Sequence, residues 1–135
     1  MTRARRFMAI GFIGIVLAGS LVGCAAKSTP PLELSSADSG TIQRPAIGQQ
    51  IKVSLDSNPT TGYRWALNGA LPSQIEQVGD PKFTAQSSAV GAGGVEVWTF
   101  VGKSAGACTL KLKYWRSFEP TAVPGNVFEV ALDVR

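Results

Sequence analysis

The sequence of 135 residues contains no histidine and has only two cysteines, Cys24 and Cys108. Without an imidazole, Ser-His-Asp and Cys-His catalytic arrangements are excluded, and so is any zinc site that depends on histidine. The pattern also lacks a convergent pair of acidic residues that could act as acid and base. We therefore expect neither an enzyme nor a cofactor or metal site, and a chain of this length has room for one modest core.

The apolar run at the start of the chain is too short for a comfortable transmembrane helix. It covers residues 7–22, follows Arg3, Arg5 and Arg6, and ends in Leu21-Val22-Gly23-Cys24. That tetrad resembles the bacterial lipobox, whose cysteine is acylated and becomes the mature N-terminus. An ordinary secretory signal or an uncleaved anchor is the alternative, but the tetrad favours a lipoprotein. Residues 1–23 are thus predicted to be a signal peptide, Cys24 to carry a membrane lipid anchor, and the protein to belong to the bacterial cell envelope.

Processing removes most of the positive charge. Three of the 13 basic residues and none of the nine acidic ones precede Cys24, which leaves ten against nine and a net charge of +1. No basic stripe or basic-aromatic pattern remains, so nucleic acid is not an expected partner. Cys108 is the one thiol left after acylation, and without a histidine to activate it we expect it to be buried in a core. The mature protein is expected to be a monomer.

Beyond residue 40 the apolar pattern repeats every two residues. Residues 24–40 are rich in serine and proline and are predicted to be a flexible tether, followed by one domain over residues 41–135. Alternation at 51–55, 63–67, 95–101, 108–114 and 128–134 predicts half-buried strands. Residues 73–78 could form one helical turn or a short strand. Six or seven strands of this kind predict an antiparallel β-sandwich, with much of its core supplied by the aromatic side chains Trp65, Trp98, Phe100, Tyr114 and Phe128.

Three connections between these strands have unusual compositions. The first loop, residues 58–62, reads Asn-Pro-Thr-Thr-Gly; the second, residues 88–94, contains three glycines; the third, residues 116–126, begins Arg-Ser-Phe-Glu-Pro. Proline and glycine fix turn geometry, but a turn does not require two threonines. Taken singly, these loops could be a well-made turn, a flexible hairpin tip and a solvated surface. Taken together at one end of a sandwich, they favour binding. Trp115 could lie on the sheet surface or at the rim of that end.

Three ordered motifs give a specific resemblance. "NPTTGY", then "GAGG" at the opening of a strand, then "LKLKYWRSFE" resemble the chagasin family of cysteine-peptidase inhibitors, whose motifs are Asn-Pro-Thr-Thr-Gly-aromatic, Gly-x-Gly-Gly and Arg-Pro-Trp/Phe-Glu. The resemblance covers the chain from about Gly40 to Arg135. One residue departs from it, because Ser117 stands where the family has proline. The resemblance implies an immunoglobulin-like fold and three binding loops at one end of the sandwich.

It also implies a function and a set of contact residues. Family members are reversible, non-covalent inhibitors that fill the active-site cleft of papain-like (clan CA) cysteine peptidases with three loops. Thr60, Thr61 and Gly62 would then sit over the peptidase's catalytic pair, with the glycine loop on one side and Phe118 on the other. The alternative is a non-inhibitory envelope lipoprotein that acts as an adhesive or structural module. The peptidase-binding residues that the resemblance implies are Asn58, Pro59, Thr60, Thr61, Gly62, Tyr63, Gly91, Ala92, Gly93, Gly94, Arg116, Ser117, Phe118 and Glu119.

Overall fold

The regular structure of the described part of the chain consists of β-strands and two 3₁₀ turns, Ser36–Asp38 and Pro59–Thr61. The structure, a computed structural model, describes Gly23 and residues 28–135. Cys24 and the predicted signal peptide, apart from Gly23, lie outside the described residues. No helix in the described part is long and apolar enough to cross a membrane. The nine strands are β1 (Leu32–Ser35), β2 (Ile42–Gln43), β3 (Gln50–Ser57), β4 (Arg64–Leu67), β5 (Ile75–Gln77), β6 (Lys82–Ala85), β7 (Gly94–Gly102), β8 (Gly106–Trp115) and β9 (Asn126–Val134).

The strands form two sheets that pack face to face. The first sheet has the order β1-β3-β7-β5, with β6 also paired to β7, and the second has the order β2-β9-β8-β4. Alternate side chains of the long strands point between the sheets and are almost fully buried, because every second residue of a strand faces the same side. Each buried aliphatic or aromatic side chain contributes roughly 1.5–3 kcal/mol to the free energy of unfolding. The shared core is Leu34, Ile51, Val53, Leu55, Trp65, Ile75, Trp98, Phe100, Leu110, Leu112, Phe128, Val130, Leu132 and Val134.

The predicted sandwich and most of its core are confirmed. Trp65, Trp98, Phe100 and Phe128 are buried, and Tyr114 packs against the core while half-buried. The open choice for residues 73–78 is settled as strand β5. Cys108 packs against the core as predicted, although it is half-buried rather than fully enclosed.

Two fold predictions need correction. The sheets are mixed rather than purely antiparallel, because β1 pairs with β3, and β2 with β9, in parallel. The tether was predicted to run to residue 40, but β1 lies inside that range and Leu34 is buried in the core. Its apolar alternation covers only Leu32 and Leu34, between two prolines and a serine pair, which is too short to stand out from the composition around it.

The direction of the strands defines two ends of the sandwich. At the loop end, β3 runs into residues 58–62, β6 and β7 are joined by residues 86–93, and β8 and β9 by residues 116–125. At the opposite end, which we call the tether end, residues 46–49 meet the end of β7 and the residue after β9, since Gly48 N donates to Gly102 O and Ile47 N to Arg135 O. The fold therefore brings the three loops together at one end of the sandwich.

Candidate functional site

The first loop is a single 3₁₀ turn held by its own side chains. Asn58 Oδ1 accepts hydrogen bonds from Thr60 N at 3.2 Å and from Thr60 Oγ1 at 2.5 Å, and Thr61 Oγ1 donates to Asn58 O at 2.6 Å. Pro59 occupies the first helical position, where its fixed φ fits and its missing N–H costs nothing. Gly62 ends the turn at φ 80°, in the left-handed region that glycine tolerates best. Both threonines are exposed, so a rigid turn presents them to solvent.

Asn58 also fixes the first loop to its surroundings. Its Nδ2 donates to Gly91 O at 3.2 Å, which ties the first loop to the second across 33 positions of sequence. Its backbone N–H donates to the Tyr114 hydroxyl at 2.8 Å, which ties the loop to the second sheet. One asparagine thus serves as turn cap, loop bridge and sheet contact.

The second loop is a glycine-containing hairpin tip. Gln86 N donates to Gly93 O at 3.0 Å, and Ala92 N to Ala89 O at 3.1 Å, which closes the tip. Gly91 has φ 79° and is exposed, whereas Ala92 and Gly93 are half-buried beside the first loop. Gly94 was also predicted to belong to this binding surface. It is buried in β7, where a Cβ would collide with the carbonyl oxygen of Thr84, so its glycine is required by the close approach of β6.

The third loop is built around the guanidinium of Arg116. The guanidinium carbon lies 4.5 Å from the centre of the Tyr63 ring and 5.9 Å from that of Phe118, and Nη1 lies 3.6 Å from Glu119 Oε2. Glu119 N donates to Arg116 O at 3.1 Å, so the first residues of the loop form a tight turn with Ser117 in its second position. Arg116 is therefore half-buried and acts as a spacer between two rings, while Ser117, Phe118 and Glu119 are exposed.

The rings beneath this loop form a continuous support. Tyr63 stacks on Tyr114 with ring centres 5.2 Å apart, and Tyr114 contacts Trp65 at the same spacing. Gly125 N donates to Tyr114 O at 2.8 Å and closes the base of the third loop. Tyr63, named among the contact residues, is thus half-buried as part of this support. Trp115 is the last residue of β8, directly before the third loop, and Lys113 Nζ sits 4.0 Å from its ring centre on the outer face of the sheet.

The structure adds two residues that the sequence patterns did not single out. Val90, at the tip of the second loop, and Val123, in the third, are 106% and 87% exposed, and Phe118 is 66% exposed. Their signal in the sequence is an apolar residue inside a segment otherwise rich in small or polar residues. Within residues 28–135 no cluster of potential metal ligands occurs. The loop end is therefore a mostly uncharged surface with three apolar points around a rigid turn.

Comparison with known proteins shows which family and which solved structures this chain resembles. A model of a protein family described as chagasin family peptidase inhibitor I42 matches residues 44–132. Chagasin of Trypanosoma cruzi is 29% identical over 104 residues, which cover 74% of this chain and 94% of chagasin. In fold, the chain is similar to the cysteine protease inhibitor EhICP2 from Entamoeba histolytica, with a TM-score of 0.67, 20% identity, and 78% and 96% of the two chains covered. It is also similar to PbICP-C, solved in complex with falcipain-2, with a TM-score of 0.52, 17% identity, and 80% and 93% covered.

The two packed sheets form an immunoglobulin-like β-sandwich, and the family match assigns it to the class of peptidase inhibitors. This chain belongs to the chagasin family of peptidase inhibitors. It is an inhibitor rather than an enzyme, as the sequence predicted, and the family and its neighbours support cysteine peptidases as the targets.

Proposed function

We propose that this protein blocks papain-like cysteine peptidases by inserting its loop end into their active-site cleft, reversibly and without a covalent bond. The observation that carries the proposal is the linkage of the loops. Asn58 joins the first loop to the second, and the Phe118 ring covers Gly62, which joins the first to the third. Three segments far apart in the chain thus form one surface of fixed shape, which suits a rigid cleft better than a mobile partner.

The first loop is the part we place over the catalytic centre. Its threonine hydroxyls both donate within the loop, so the turn is ordered before a partner arrives and little conformational entropy remains to be lost on binding. Because the side chains of this turn are small, the first loop would also enter a narrow cleft without steric conflict. The exposed side chains of Thr60 and Thr61 would contact the peptidase's catalytic residues.

The flanking loops supply the apolar contacts. Phe118 projects from the loop end as an exposed aromatic anchor, of the kind in which interface energy concentrates when a partner buries it. Val123 in the same loop and Val90 in the second loop add exposed apolar surface. Gly91, Ala92 and Gly93 would approach the cleft wall through backbone, because they have little or no side chain. Arg116 would act through Tyr63 and Phe118, whose positions it fixes, and Glu119 through Arg116.

The one thiol in the described residues lies too far from the loop end to form a disulfide with a bound peptidase. Cys108 lies on β8 near the tether end, seven residues before Trp115, which corresponds to about 23 Å along a strand. It is half-buried, and burial raises the pKa of its thiol. A peptidase held at the loop end would not meet it.

The location of the protein is part of the same proposal. The tetrad Leu21-Val22-Gly23-Cys24 supports acylation of Cys24, and two or more acyl chains on one residue would hold a monomeric inhibitor domain stably at a membrane of the cell envelope. Cys24→Ala should shift the protein out of the detergent phase on phase partitioning, or block maturation. Unchanged membrane retention and processing would contradict the lipid anchor.

The inhibitory function is tested with papain and a matched pair of variants. Thr61 and Thr41 are both exposed, and each hydroxyl donates to the carbonyl three residues before it, at 2.6 Å and 2.7 Å. Thr61→Arg and Thr41→Arg therefore remove the same local bond, one at the loop end and one at the edge of the second sheet. We expect similar melting temperatures, but a much larger inhibition constant for Thr61→Arg alone.

The wild-type protein should inhibit papain competitively, remain uncleaved, and leave serine and metallo-peptidases active. If the folded protein leaves papain and cathepsin-like enzymes untouched at micromolar concentration, the inhibitory function is wrong and an adhesive module takes its place. If both arginine variants lose inhibition equally, the first loop is not the contact surface.

A further inference from the structure

The N-terminal segment is attached firmly to one end of the sandwich. β1 pairs with β3 over four residues, Leu32 with Ile51 through Ser35 with Ser54, and Leu34 is 3% exposed in the core. Ahead of β1, Pro30 O accepts a hydrogen bond from Gln49 Nε2 at 2.8 Å. The chain is therefore fixed to the domain from about Pro30 onward, ten residues earlier than the composition predicted.

The parallel pairing sets where this segment enters. β3 runs toward the first loop, and β1 runs beside it in the same direction, so the N-terminal side of β1 faces the tether end. Pro30 is level with Gln49, which precedes Asn58 by nine residues. At about 3.3 Å per residue, the attachment point lies roughly 30 Å from the loop end.

The chain left between the lipid and the domain is short. Cys24 and Pro30 are separated by six residue steps, which reach at most about 22 Å when fully extended. That is less than the roughly 30 Å that the segment would need to run back along the sandwich and bring the loop end down to the anchor.

We propose that β1 orients the anchored inhibitor with its loop end pointing away from the membrane that holds the lipid. This inference rests on the proposed lipid anchor and on inhibition by the loop end. The target class that fits is a peptidase free in the aqueous compartment outside that membrane. A peptidase held close to the same membrane would meet the loops only when the domain tilts down toward the surface.

The orientation is tested by fluorescence energy transfer in reconstituted vesicles. The full-length lipidated chain carries Cys108→Ser and one labelled cysteine, either Lys103→Cys at the tether end or Thr60→Cys at the loop end, and the vesicles contain an acceptor on the lipid headgroup. We expect strong transfer from position 103 and much weaker transfer from position 60. Equal transfer or the reverse order would overturn the orientation, and so would a lipidated chain that fails to bind the vesicles.

A second variant tests the role of tether length. Fifteen Gly and Ser residues inserted between Lys27 and Ser28 should raise transfer from position 60 toward that from position 103, because a long flexible tether no longer sets the orientation. A label at position 60 that responds to no insertion would mean that something other than the tether orients the domain, contrary to the proposal.

The consequence for the target is measured with papain in two placements. The anchored wild type should inhibit soluble papain as well as the Cys24→Ala chain does. Against papain fixed to the same vesicles by a short lipid linker, the wild type should be weaker than the extended-tether variant by about tenfold or more, since only the latter gains the effective concentration of a shared surface. Equal potency there would overturn the proposal, whereas failure against soluble papain would instead contradict inhibition itself.

Discussion

The ring of Phe118 occupies the space that a side chain at Gly62 would need. A Cβ added at position 62 would lie 2.8 Å from Phe118 Cε1 and 3.0 Å from Cζ, and Gly62 has φ 80°. Two residues from different loops are therefore in contact at the loop end. Glycine at 62 serves two purposes, since it permits the left-handed backbone and leaves room for the ring.

The first prediction separates these two purposes. Gly69 has φ 97° with open space around it and lies away from the loop end, so Gly62→Ala and Gly69→Ala share the backbone strain of about 1–2 kcal/mol. Displacement of the Phe118 ring, which is 66% exposed, would forfeit little buried area, so both variants should melt at similarly lowered temperatures. Only Gly62→Ala should weaken inhibition of papain, because it displaces Phe118.

A double variant completes this test. If displacement of Phe118 is the cause, Gly62→Ala combined with Phe118→Ala should inhibit no worse than Phe118→Ala alone, apart from the effect of reduced stability. Additive losses would mean that Gly62 contacts the peptidase independently of the ring.

The second prediction concerns the bridge between the first two loops. Asn58→Asp keeps the acceptor for Thr60 N but removes the Nδ2 donor and places a carboxylate beside Gly91 O. A net hydrogen bond contributes about 0.5–1.5 kcal/mol, so the inhibition constant should rise roughly threefold to tenfold. Asn68→Asp adds the same charge at an exposed turn and is the control. Equal effects of the two variants would assign the loss to charge rather than to the bridge.

The third prediction concerns the residue that departs from the family motif. Ser117 stands in the second position of the turn closed by Glu119 N and Arg116 O, a position that favours proline. Ser117→Pro should raise the free energy of unfolding by about 0.4–1 kcal/mol by restricting the unfolded chain, and it should improve inhibition. Ser117→Ala, which restricts nothing, should leave both measurements unchanged. A destabilised Ser117→Pro would show that this turn does not accept a proline φ.

The fourth prediction concerns Cys108, where burial raises the pKa of the thiol above its ordinary 9.0. The folded protein should react slowly with a thiol reagent at pH 8, and the unfolded protein quickly. Moving the thiol to the exposed neighbour, as Ala107→Cys with Cys108→Ser, should restore fast labelling without denaturant. Because the unfolded thiol ionises first, the stabilising contribution of the neutral thiol is present below about pH 9 and declines as the pH rises above it. Fast labelling of native Cys108 would contradict its packing against the core.

The sequence predicted those strands whose apolar alternation is long. In residues 51–55 and 128–134 an apolar side chain recurs at every second position, and these side chains form much of the core. β6 could not be found in this way, because all four of its residues are exposed and carry no alternation. The sequence also could not predict that β1 and β2 pair in parallel with their neighbours, since a strand's own pattern does not specify the direction of its neighbour.

In the candidate site, too, the sequence predicted local turns but not contacts between residues far apart in the chain. Proline and glycine placed the first turn correctly, because they act on their own backbone. The bond from Asn58 to Gly91 and the contact of Gly62 with Phe118 join residues far apart in the chain, so no local pattern could indicate them. The requirement for glycine at position 94 was hidden for the same reason, since it comes from Thr84 on a strand that the sequence did not reveal.

Tension between the two ends of this molecule would act on β1 along its own axis. A peptidase that holds the loop end while a lipid holds Cys24 would pull β1 backward past β3, so the hydrogen bonds of that four-residue ladder would be strained together rather than peeled one by one. Parallel pairing gives this geometry. An antiparallel β1 would instead enter at the loop end, and its hydrogen bonds would break one after another. β1, which the composition assigned to the tether, would thus resist this tension as a strand loaded in shear.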